Sequence, residues 1–70
     1  MKIILERKFF TMESLLSGLD EYFLKQNKRF RIIAKGSSPI ISIDDTYYKV
    51  FIGNGDAVFL GCKEVLLKKV

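Results

Sequence analysis

Residues 11–27, TMESLLSGLDEYFLKQN, decide the fold. Met12, Leu15, Leu16, Leu19 and Phe23 recur at the three- and four-residue spacing that puts side chains on one face of an α-helix, with Tyr22 at the edge of the stripe. Glu13, Ser17, Asp20, Glu21 and Lys25 fall mostly on the other faces, and Leu24 lies well off the stripe as an exposed apolar side chain. Thr11 is suited to the N-cap, and Glu13 to the first turn near the positive end of the helix dipole. The pattern predicts a helix from Met12 to about Gln26, ended by Asn27, a residue that tolerates the left-handed conformation. Gly18 in its middle costs about 1 kcal/mol relative to alanine, which points to a strand passing close to that turn.

Strand signals flank the helix. Before it, residues 2–10 (KIILERKFF) place Ile3, Leu5 and Phe9 on one face across Arg7. After it, residues 29–35 (RFRIIAK) alternate, with Phe30, Ile32 and Ala34 on one side and Arg29, Arg31, Ile33 and Lys35 on the other. Gly36 to Pro39 reads as a turn, Ile40–Ile43 as a short strand, and Asp44-Asp45-Thr46 as a second turn, because aspartate side chains support local turn hydrogen bonds. Residues 47–52 (YYKVFI) are the clearest β run, rich in aromatic and β-branched residues. Gly53-Asn54-Gly55-Asp56 has hairpin-turn chemistry, and residues 57–62 (AVFLGC) read as a returning strand. The segment KEVLLKKV at 63–70 fits either a strand or a short helix.

The order is therefore strand, helix and a meander of strands. A strand–helix–strand start runs its two strands parallel through a right-handed crossover, and the later hairpins are antiparallel. The expectation is one α+β domain over residues 1–70 (β-α-β-β-β, with the last segment open). Its N-terminal helix packs on a mixed, mostly antiparallel sheet of four or five strands.

Composition narrows the function. Seventy residues hold one small domain. With no His and one Cys, a histidine-based triad, a cysteine-rich zinc site and an intramolecular disulfide are excluded. The pairs Asp44-Asp45 and Asp20-Glu21 are vicinal, so their side chains diverge rather than converge on one substrate atom; turn and helix-surface roles suffice for them. A hard cation at Asp44-Asp45 needs more oxygen ligands than the local sequence supplies. Cys62 beside Lys63 fits a packing role better than a reactive thiol. The expectation is a non-enzyme with no cofactor and no metal. Ile3-Ile4-Leu5 is too short for a signal-peptide core, and no apolar run approaches the ~18 residues of a spanning helix. A cytoplasmic setting without membrane contact is the default.

Two nucleotide-binding signatures fail on context. Val50-Phe51-Ile52-Gly53-Asn54 looks like the shorter aromatic signature of RNA-recognition-motif domains, but there it lies on the first strand with a helix after it. Gly53-Asn54-Gly55-Asp56-Ala57-Val58 begins like a dinucleotide fingerprint, with valine in place of the third glycine and no long helix following.

Two surface features remain. The net charge of +4 is uneven, with five cations and no acid over residues 25–35. Arg29, Arg31 and Lys35, joined by Lys49, are candidate contacts for a nucleic acid, against the plainer reading that a solvated strand face and helix end need charge. In residues 47–52, Tyr48, Val50 and Ile52 share one face and Tyr47, Lys49 and Phe51 the other. One helix covers one face. Tyr47, Lys49 and Phe51 with Ile33, and Phe59 if it reaches them, are left as a candidate protein contact unless residues 63–70 fold back over them.

The helix ending in Glu21-Tyr22, then Pro39-Ile40 leading to Ile43-Asp44 and Tyr48, and finally Gly61-Cys62-Lys63-Glu64-Val65 resemble a family of small bacterial domains of unknown function found mainly in Firmicutes. The resemblance implies an α+β fold and a bacterial cytoplasmic setting, and carries over no activity, cofactor or site residue. The expected function is a non-catalytic protein-interaction or self-association module, with a protein or a second copy as partner. The alternative is a weak nucleic-acid-binding domain using the basic strand face.

Overall fold

A computed structural model describes residues 1–36, 38–52 and 61–70. The hairpin expected at Gly53–Asp56, most of the strand expected at 57–62 and Phe59 lie outside the described residues. In chain order the elements are β1 (Lys2–Phe9), α1 (Met12–Leu24), β2 (Phe30–Ala34), β3 (Ile40–Ile43), β4 (Thr46–Ile52) and β5 (Cys62–Lys69).

The helix starts at Met12 as expected and ends at Leu24, about two residues before the expected Gln26, with residues 25–27 forming the turn that closes it. Thr11 is extended (φ −135°, ψ 154°), and its Oγ1 accepts a hydrogen bond from the Ser14 amide at 3.1 Å, satisfying one of the donors that the first turn leaves open. At the other end Asn27 takes φ +59°. The Lys28 amide then donates to the Phe23 carbonyl at 2.9 Å and the Asn27 amide to the Leu24 carbonyl at 3.0 Å, the paired bonds of a Schellman ending. Gly18 is buried under the Phe9 ring of β1, the close strand its presence predicted.

The sheet order is β1-β5-β4-β3-β2, and every pairing among the described residues is antiparallel. The expected α+β architecture stands, with one correction to the word mixed. Four antiparallel steps separate β1 from β2, so the two do run in the same direction, as the strand–helix–strand start implied. They lie at opposite edges of the sheet and do not pair. The reason is β5, which enters between β1 and β4, pairing Ile3 with Val65 on one side and Val50 with Leu67 on the other. Residues 63–70 are thus a sheet strand and do not fold over a face.

The core lies between α1 and one face of this sheet. Leu15, Leu16, Leu19 and Phe23 of the helix meet Ile3 and Leu5 (β1), Val65 and Leu67 (β5), Val50 (β4) and Ile41 and Ile43 (β3), all buried. Complete burial of such side chains is worth roughly 1.5–3 kcal/mol each. Phe23 stacks on Phe30 of β2 with ring centroids 6.1 Å apart, closing the core at that edge.

Asp44 and Asp45 join β3 to β4 in a two-residue turn between the paired Ile43 and Thr46, with φ +49° and +68°. Positive angles at both positions match the right-handed twist of the flanking strands. Asp44 also anchors the chain entering β2. Its Oδ1 accepts from the Arg29 amide at 2.8 Å, its own amide donates to the Arg29 carbonyl at 2.9 Å, and Oδ2 lies 3.9 Å from Lys28 Nζ.

Candidate functional site: the open face of the sheet

Where two strands pair in unbroken register, alternation assigns each side chain to a face. Residues directly opposite in an antiparallel ladder point the same way. Tyr47, Lys49 and Phe51 of β4 therefore share the face away from the helix with Ser42 and Ile40 of β3 and with Leu66 and Lys68 of β5. Arg31 of β2 joins them opposite Ser42, and Lys2 and Ile4 of β1 opposite Leu66 and Glu64. Ile33 falls at the register shift between Ile32 and Ala34 and has no partner in the β2–β3 ladder, so the ladder does not assign it to this face. No described element packs on this face.

Its centre is apolar and half-buried, with Phe51 opposite Leu66 and Ile40 one strand over. Around that centre stand larger exposures, 53% for Ile4 and 50% for Tyr47. Cations edge the strip. Lys49 sits directly opposite Lys68, whose Nζ lies 5.3 Å from the centroid of the Phe51 ring. That is cation–π range, where an ammonium over an aromatic face gains about 0.5–1 kcal/mol at an exposed site. Lys2 pairs with Glu64 at 3.2 Å, both ends exposed, so the contact contributes at most about 1 kcal/mol.

The structure brings together three of the four residues expected as a protein contact: Tyr47, Lys49 and Phe51 lie on one face, while Ile33 sits at the register shift of the edge strand β2. Of the four expected to contact nucleic acid, it unites Arg31 and Lys49 on that same face and disperses the others. Lys35 lines a groove on the helix side with Met12, Leu16, Ile32 and Pro39. Arg29 precedes β2, its backbone tied to Asp44. Lys25 flanks a groove beside Tyr22 on the helix side. The run of cations at 25–35 is therefore not one surface, because it crosses the helix end, an edge strand and a turn.

Lys68, Leu66, Lys2 and Ile4 are additional members of the face. The alternation of Glu64, Leu66 and Lys68 against Val65, Leu67 and Lys69 carries that signal once residues 63–70 are taken as a strand.

The acids are arranged otherwise. Glu13, Asp20 and Glu21 lie on the exposed side of α1, with Glu21 3.9 Å from Arg7. Among the described residues no three His, Cys, Asp or Glu side chains gather as a metal site would require, and no helix is long and apolar enough to cross a membrane. The chain matches no family model, no curated protein and no solved structure.

Proposed function

We propose that this chain is a non-catalytic binding module and that the open face of its sheet holds the partner. The observation that carries the reading is the strip formed by Ile40, Phe51 and Leu66 with exposed Tyr47 and Ile4, on the side away from the helix. A contiguous apolar patch rimmed by polar groups is the usual mark of an interaction surface. Its charge narrows the partner. Two copies meeting face to face about a two-fold axis over β4 and β5 would set Lys49 and Lys68 against the same lysines of the other copy, a like-charge juxtaposition that costs affinity. The face is better matched to an anionic partner. A protein that docks here must bring carboxylates beside its apolar side chains.

The reading is tested by placing a photo-crosslinking amino acid at Tyr47, and separately at Ser17 on the exposed side of the helix, in cells producing the protein. Discrete adducts from position 47 with few from position 17 are expected. Equal yields from both positions would remove the open face as the working surface.

A further inference from the structure

We infer that the anionic partner of the open face is a single strand of nucleic acid, an inference that rests on the reading of that face as the binding surface. Lys49 and Lys68 are held side by side by the β4–β5 ladder. Like charges directly opposite in a ladder destabilise a sheet, and an anion laid across both would remove that repulsion.

The central strand supplies more than charge. Tyr47, Lys49 and Phe51 alternate aromatic, cation, aromatic on one face, and a strand advances about 6.6–6.8 Å for every two residues. The Cα atoms of the two aromatic residues therefore stand about 13 Å apart along the strand, with Lys49 midway between them. Unstacked bases bind aromatic rings, and the linking phosphates bind cations. Lys68, which now covers the Phe51 ring, is placed to yield that ring to a base and turn to a phosphate. Arg31, opposite Ser42 and so two strands from Tyr47, extends the positive surface along the platform.

The shape favours a single strand over a duplex. On that face no described helix or ribbon stands out to enter a groove.

The test uses the whole chain and fluorescein-labelled oligo(U) and oligo(dT) of about a dozen nucleotides, with a duplex of equal length, read by anisotropy over a range of salt. Binding of the single strands, weakening as salt rises, is expected. Lys49→Gln with Lys68→Gln should lower affinity at least about tenfold and reduce the salt slope by roughly 1.4, about 0.7 per lost contact. Tyr47→Ala should lower affinity about tenfold with the slope unchanged, because stacking is not ionic. Lys25→Gln with Lys35→Gln removes the same charge away from the face and should leave both quantities near those of the parent.

No binding at low salt, equal losses from the two lysine pairs, or a duplex bound as well as a single strand would each overturn the inference. Protein adducts from position 47 without oligonucleotide binding would overturn it while leaving the open-face reading standing. A loss of contrast between positions 47 and 17 would take both away.

Discussion

Replacing Gly18 by alanine should destabilise the protein, although the same change in an ordinary helix interior stabilises it. The gain from helix propensity is about 0.8–1 kcal/mol. Against it, a Cβ on Gly18 would stand 2.8 and 2.9 Å from Cε1 and Cε2 of Phe9, where carbon atoms prefer about 3.5–4.0 Å. Phe9 is buried, so its ring has to shift within packed surroundings. Overpacking of this kind costs roughly 1–3 kcal/mol. The net is a loss of about 1 kcal/mol, which lowers Tm by roughly 4–8 °C in a domain of this size. The assay is a double-mutant cycle by urea and thermal unfolding with Phe9→Leu as the second change. In that background the ring is gone, and Gly18→Ala should raise stability by about 0.5–1 kcal/mol. The coupling between the two sites should therefore reach about 1 kcal/mol or more. A Gly18→Ala variant more stable than the parent, by the same amount with or without the Phe9 ring, would refute the argument.

Three further outcomes follow from the termini and turns of the elements. Asp44→Ala loses the bond to the Arg29 amide and sets alanine at a positive φ, so urea unfolding should show a loss of about 2 kcal/mol, while Asp44→Asn, which keeps both features, should lose well under half of that. Asp45→Gly converts the β3–β4 connection to an Asp-Gly turn and should raise the melting midpoint, with a gain of about 0.5–1 kcal/mol. Thr11→Ala removes the helix cap and should cost about 1 kcal/mol by the same unfolding assay, with Thr11→Asp restoring it.

Local chemistry made the helix, its cap at Thr11, its ending at Asn27 and the Asp44-Asp45 turn legible in the sequence, because each depends on residues a few positions apart. The strand at 63–70 was not decided there. Val65, Leu66 and Leu67 are consecutive apolar residues because the strand lies inside the sheet, with Val65 and Leu67 on the core and Leu66 on the open strip, so no clean alternation marks it. Nor does any local signal say that this strand enters between β1 and β4, which is what moves β1 and β2 to opposite edges. The site shows the same division. Tyr47, Lys49 and Phe51 were readable as one face from alternation within a single strand. Lys68 and Leu66 required the β5 register. The cations at 25–35 look like a patch in one dimension and are separated in three.

The position of β5 also bears on how the chain finds its structure. The β2–β3–β4 meander and the helix close over short stretches, whereas the β1–β5 ladder joins distant parts of the chain, with the Met1 ammonium bonding to the Leu67 carbonyl across 66 positions. Long loops must close before such contacts stabilise anything, and topologies dominated by them fold slowly. In any state in which β5 has not docked, β1 would have no sheet partner and β4 would present a bare edge, two strand edges that β5 covers in the native molecule. Val65, buried between Ile3 and Ile52, reports on that step. If docking limits the rate, truncating it to alanine should slow refolding more than it hastens unfolding; the reverse would put the β1–β5 ladder after the barrier.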